Sequence, residues 1–328
     1  AIKYELEVRK NILKKSGDSS TLLAHNQEFP FNPSEAFLTV SNNLFPVDLL
    51  NQQINRVKRD SLHTKKGQPV RLFRDKKNIV RATPDLNDEL IPIIHYKPKV
   101  KNLNGATVIY EFPIENAPKG LYKIGYDPYD QDEGTSFGAV YVFKTVMKGD
   151  LKRNIIVAQS VGRPESLDKM NEISLLLGEL YNTEVMHENM SIHVRNYYRR
   201  KKKYQFLAAQ PDRVINKNIK DSKVERMFGI HMAPGIKNGG EKYINEWLRE
   251  VIDHDNQGRP ITNIANIFDL GLLEELVIYN KDGNFDRVMA LMMAMFQVQE
   301  EEEEKKYQSD HLTANATYLL NMNFLKKR

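Results

Sequence analysis

Cysteine is absent from the 328 residues, which excludes disulfides and thiolate metal sites and fits a reducing compartment. Also missing is any apolar run near the roughly 18–20 residues that a membrane span needs, so no membrane partner is expected. No G-x-x-x-x-G-K-[ST] stretch occurs, which rules out a P-loop ATPase within these residues. The first ten residues, AIKYELEVRK, are charged and amphipathic, unlike a signal peptide. They begin with Ala rather than Met, and the expectation is an excised or processed piece of a longer polypeptide. What is present suits a globular chain with its own core: 41% apolar and 28% charged residues. A net charge of +5 permits a polyanionic partner without requiring one.

That charge is unevenly spread. Between Arg195 and Arg226 the chain carries the run Arg199, Arg200, Lys201, Lys202, Lys203 and further cations, against only Asp212, Asp221 and Glu225. Glu300–Glu304 forms an opposite block near the other end. A charge run is usually a solvated helix face. Here Tyr197, Tyr198, Tyr204 and Phe206 interleave with the cations, the mixture that phosphate backbones and bases meet on nucleic-acid-binding proteins.

Periodicity supplies an order of elements. Helices are expected near the N-terminus (Ile2 to Leu13) and over Val47–Arg59, where apolar residues recur at helical spacing. Residues 60–118 break into short apolar stretches, Val70–Phe73, Leu90–His95 and Thr107–Phe112, and read as a small β-rich subdomain or clamp. Leu121–Phe143 (LYKIGYDPYDQDEGTSFGAVYVF) then alternates as a strand to Asp127, breaks at Pro128 and resumes as a second strand. Arg153–Val161 is a third strand, and a helix with Ile173, Leu176, Leu177 and Leu180 on one face follows. Thr183–Asn189 is a fourth strand, Met190–Tyr204 a helix carrying the basic run, and Tyr204–Ala209 a fifth strand. Asp212–Ser222 reads as a polar loop, Tyr243–Ile252 as a helix after a glycine-rich stretch, and Asp286 to about Val298 as a strongly apolar helix. Three strands can pair as a meander, and a right-handed helical crossover then lays the fourth strand parallel, in an α/β fold with a mixed sheet flanked by helices, for which 3-2-1-4-5 is the order considered.

In that order strands one and four are neighbours. Asp127 ends the first and Glu188 lies at the end of the fourth, while Asp286 opens the late helix after a glycine turn. Taken singly, each has an ordinary reading: an acidic hairpin turn, an exposed strand glutamate, a helix cap. Together they make a carboxylate cluster, which repels itself unless divalent cations bind it. Two ions about 3.5–4 Å apart would give in-line phosphodiester hydrolysis. Asp130, Asp132 and Glu133 are candidates for a further ligand. His187 alternates away from Glu188, and with His193 and His231 it reads as structural or surface. Met289, Met292, Met293 and Met295 read as core.

The chain resembles the C-terminal nuclease portion of the large terminase subunit of tailed bacteriophages. YKIGYDPY is similar to the family's first catalytic strand, TEVMHENMS to the strand bearing its catalytic glutamate, and FDLGLLEELVIYNKDGNFDRVMALMMAMF to its last acidic segment. Gln27-Glu28-Phe29-Pro30 with Ser34-Glu35-Ala36-Phe37 is similar to the linker after its ATPase domain. The resemblance implies an RNase H-like fold, with a linker from a missing upstream ATPase domain plus the β-rich subdomain over 1–118, a nuclease domain over 119–299 and a charged tail over 300–328. It implies a metal-dependent endonuclease that cuts double-stranded viral DNA during genome packaging, with catalytic metal ligands at Asp127, Glu188 and Asp286, two Mg²⁺ or Mn²⁺ ions and DNA contacts at Arg199–Lys203. Portal, small terminase and ATPase domain are the implied partners, and the cytoplasm of an infected bacterium the implied location. The family's further aspartate falls where Thr135 stands, so the second ion's ligands are open among Asp130, Asp132 and Glu133. An RNase H-like resolvase or transposase-type nuclease, and a non-catalytic DNA clamp, are the alternative readings.

Overall fold

The alternation before Asp127 becomes the sixth strand of a seven-stranded mixed sheet, next to one edge. The computed structural model of the chain describes residues 2–16, 25, 28–29, 31, 43–59, 67–129, 136–145, 154–190, 192–218, 228–281 and 283–325, with side chains of the last helix to Tyr307. Two compact units are present, Ala1–Leu44 and Phe45–Arg328. In the first, helix α1 (Ile2–Ser16) carries a Glu5–Arg9 ion pair of 3.1 Å, and His25 reaches Glu5 at 2.7 Å. Ser34–Phe37 lies outside the described residues.

The second unit opens with α2 (Val47–Arg59), which buries Leu50, Ile54 and Val57 as its helical spacing requires. Strands β1 (Gln68–Arg74), β2 (Val80–Pro84) and β3 (Thr107–Ile109) come next. After them come β4 (Tyr122–Asp127), β5 (Gly138–Lys144) and β6 (Ile155–Gly162), then helix α3 (Leu167–Leu180) and β7 (Val185–His187). The sheet order is β2-β1-β3-β6-β5-β4-β7. β4, β5 and β6 form the expected antiparallel meander, and α3 crosses over so that β7 pairs parallel to β4. This mixed α/β arrangement is consistent with an RNase H-like fold.

Three expectations about the sheet change. Residues 68–109 do not form a separate subdomain: β3 pairs with β6 through Thr107↔Ser160, so β1–β3 lengthen the same sheet. Leu90–His95 is a loop, not a strand. The fifth strand reduces to a 3₁₀ turn, Tyr204–Phe206, and the single parallel bridge Val185↔Leu207, so the expected order 3-2-1-4-5 stops at its fourth strand.

The remaining elements are helical apart from one hairpin. α4 spans His193–Arg200 and α5 spans Asp212–Asn218, where a loop is expected. α6 (Pro234–Arg249) takes in the glycine-rich stretch. β8 (Val251–His254) and β9 (Pro260–Thr262) form the hairpin, and α7 spans Leu270–Ile278. α8 (Asp286–Leu325) runs past 299, and its Glu300 and Glu301 are not simply solvated. Glu300 accepts from the Val214 N–H at 3.0 Å, and Glu301 pairs with Lys123 of β4 at 2.5 Å.

The sheet divides two cores. One face, with Ile124, Tyr126, Val140 and Val142, packs against Met170, Leu177 and Tyr198 of α3 and α4. The other, with Ala139, Tyr141 and Phe143, packs against α6 and the apolar stripe of α8, including the expected core methionines Met292, Met293 and Met295. Among the described residues no helix is long and apolar enough to cross a membrane.

Candidate active site

Alternation in β4 sends Tyr122, Ile124 and Tyr126 into the α3 face and leaves Gly125 and Asp127 toward α8. At Gly125 the helix backbone takes the place of a side chain: a Cβ there would stand 1.9 Å from the Ala290 carbonyl oxygen and 2.5 Å from the Ala294 nitrogen. The close approach brings the N-terminus of α8, one turn before Ala290, up to the C-terminal end of β4. Asp286 is the first residue of that helix.

Glu188 arrives from the neighbouring strand. Tyr126 pairs with His187, and the Glu188 N–H donates to the Tyr126 carbonyl at 3.0 Å, so the register sets Glu188 beside Asp127. Asn189 ties down the chain just past the strand, donating its N–H to the Ile230 carbonyl at 2.6 Å and its amide to the Phe228 carbonyl at 2.8 Å. The three acids then line one cavity of 290 Å³ with Tyr129, Lys237 and Asn284.

Their electrostatics are those of crowded anions. Asp127 is 7% exposed; burial pushes its carboxyl well above the usual range, and the Glu188 and Asp286 charges push it further. Burial also raises Asp286, against the pull of the Phe137 N–H, which donates to its Oδ2 at 2.7 Å, and of Arg287, Asn284 and Arg163. Hard carboxylate oxygens whose charges oppose one another suit a divalent cation such as Mg²⁺ or Mn²⁺ in chemical type. Among the described residues no three His, Asp or Glu side chains are already arranged as a metal-binding set. Asp130, Asp132 and Glu133 lie outside the described residues, as does Thr135.

Beneath Asp286 sits a support that the periodicity of the sequence does not reveal. Arg287 is fully buried and pairs with Glu275 at 3.0 Å and Asp269 at 3.5 Å, and its own N–H and that of Val288 donate to Glu275. Burial pushes Glu275 up to about 7 against the attraction of Arg287. Asp269 caps α7 through the Gly271 N–H and accepts from the Tyr141 hydroxyl. The network joins α7, β5 and the start of α8, and so holds the backbone on which Asp286 stands. Arg163 is a second residue without a motif to flag it: it donates to the Ser136 carbonyl, stacks over Tyr129 and acts on Asp286 by its charge.

The basic run stands apart from this cavity. Arg200 pairs with Asp168 at 2.7 Å, Lys201 with Glu172 at 3.3 Å and Lys203 with Glu179 at 3.1 Å, all acids of α3. Tyr197 and Tyr198 are buried against α3 rather than presented to a ligand. Tyr204 stacks on Phe228 with ring centroids 5.6 Å apart. His187 is buried on the α3 face as alternation requires, while His193 and His231 are exposed. A larger cavity of 850 Å³, between α2, the loop at 91–100 and α7, is mostly apolar and holds none of the three acids.

No protein-family model matches the chain, and no curated protein sequence does. Among solved structures it is similar to the large terminase nuclease from thermophilic phage G20c, at 13% identity and a TM-score of 0.28, covering 63% of this chain and 93% of that one.

Proposed function

We propose that this protein is a divalent-metal-dependent endonuclease that cuts double-stranded DNA at the cavity formed by Asp127, Glu188 and Asp286. The observation that carries the reading is the placement of Asp127 and Glu188 at adjacent strand ends, with Asp286 lining the same cavity. Three acids held together by a sheet register and a helix backbone are costly to fold unless their charge has a use. Asp127 and Glu188 would hold the cation, with Asp286 as the ligand from α8. When bound, the cation supplies the Lewis acidity for in-line phosphodiester hydrolysis.

The chain's own residues set the rest. β4 and β7 fix the two strand carboxylates, and the Phe137 N–H orients Asp286. Arg163 and Lys237 add positive charge where a phosphate would approach. No base-reading constellation accompanies them, so cutting is expected to show little sequence preference. In its finer form the proposal follows the terminase resemblance. Cleavage would serve the start and end of viral genome packaging in the bacterial cytoplasm, beside an ATPase domain, a portal and a small terminase subunit.

The test is nicking of supercoiled plasmid in Mg²⁺ or Mn²⁺. Asp127→Ala, Glu188→Ala and Asp286→Ala are each expected to lower the rate by more than about 100-fold, beyond what outer-sphere changes at metal sites cost. EDTA should stop the wild type. Full activity in all three variants would overturn the site.

A further inference from the structure

We infer that the lysine-bearing strap at residues 97–101, rather than the basic run at 199–203, is the surface that grips the DNA backbone beside this site; the inference rests on the nuclease reading above. The strap is HYKPKVK from His95 to Lys101, with Lys97, Lys99 and Lys101 spaced two apart. All three are exposed, and none pairs with a carboxylate among the described residues. In the run at 199–203, three of the five cations are already paired to α3 acids. A phosphate that approached those would have to displace a carboxylate first, whereas the strap lysines have none to displace, Lys97 meeting only the Tyr96 ring at 5.5 Å.

Position separates the two segments further. Lys97 and Asp286 line one 360 Å³ cavity, and Asp286 and Asn284 also line the acidic cavity, so the strap borders the proposed cutting site. It is also held in place. Arg287, the residue after Asp286, donates to the Ile93 carbonyl at 2.8 Å and toward the His95 carbonyl at 3.4 Å. Glu274 takes the Tyr96 N–H at 3.1 Å and the His95 ring at 3.1 Å. The Tyr96 ring stacks on Phe285 at 5.8 Å, and its hydroxyl reaches the Asn284 carbonyl at 3.3 Å. Pro98 then restricts both itself and Lys97 before it. The turn that carries Asp286 thus also anchors the strap, giving the lysines a fixed offset from the acids. A cluster of carboxylates repels a polyphosphate backbone, and fixed cations alongside are what bring a strand within reach.

The test measures affinity of the full chain for a short blunt DNA duplex in EDTA, between about 50 and 200 mM salt. The triple variant Lys97→Ala/Lys99→Ala/Lys101→Ala is compared with Arg199→Ala/Lys202→Ala. The strap variant should bind more weakly, with a log-log salt slope shallower by about 2–3, at about 0.9 per lost phosphate contact, while the other variant stays near wild type. Unchanged affinity and slope in the strap variant overturn the inference, and a loss confined to Arg199→Ala/Lys202→Ala assigns the contact to the 199–203 run. If wild type cuts plasmid while the strap variant binds normally, only the strap falls. If wild type neither binds nor cuts DNA, the nuclease reading falls with it.

Discussion

Asp127 and His187 stand on adjacent strands, and burial pushes both toward their neutral forms. For Asp127 the neighbouring anions add to the effect of burial. For His187, on the opposite face of the sheet, the effect is on stability. Burial, then the Arg195 charge, lowers its pKa to about 4 from an ordinary 6.5, and neither ring nitrogen has a hydrogen-bond partner among the described residues. The folded state therefore holds it neutral, while the unfolded chain protonates near the ordinary value. Its contribution is fully present above pH 6.5 and is lost as pH falls through about 4. That shift corresponds to about 3 kcal/mol. Urea unfolding across this range should show wild type losing about that much more stability than His187→Met. Parallel pH profiles for the two proteins would contradict the assignment.

Gly125 is the residue through which two elements meet. With the Ala290 carbonyl 1.9 Å from where a Cβ would sit, Gly125→Ala forces α8 off the sheet. Overpacking of this kind costs about 1–3 kcal/mol or more, and here it also displaces Asp286 relative to Asp127. Lower stability in urea together with a large loss of plasmid nicking is expected; a variant with wild-type values for both would show that the contact does not set the site. The same contact explains why part of the site is legible in sequence. Alternation gives the face of Asp127, and the crossover rule gives its neighbour Glu188. α6 is harder to read, because Gly239 and Gly240 look like breakers. In the fold Gly240 admits Met292, whose Cγ lies 2.2 Å from where a Cβ would sit. The ion pairs of the basic run are hidden for a related reason: its partners Asp168, Glu172 and Glu179 stand on α3, before β7, and spacing along the chain does not show that they face it.

At the scale of the molecule, one sheet joins residues 68–109 to the strands that carry the acids. The pairing of β3 with β6 skips over β4 and β5 in sequence, so local pattern suggests a separate subdomain where the chain forms a continuous sheet. α8 extends the integration: its first turn presents Asp286, its middle fills the core, and Glu300 and Glu301 tie α5 and β4. A cation bound by acids from β4, β7 and α8 would bridge three elements and stabilise the whole unit. At a concentration 100 times its Kd it adds about 2.7 kcal/mol. The most direct measurement of the central claim is calorimetric titration of Mn²⁺ into wild type and Asp127→Asn, with thermal unfolding of both alongside. Saturable binding and a raised Tm in wild type, both lost in Asp127→Asn, are the expected result. Equal binding and equal stabilisation in the two proteins would contradict the account.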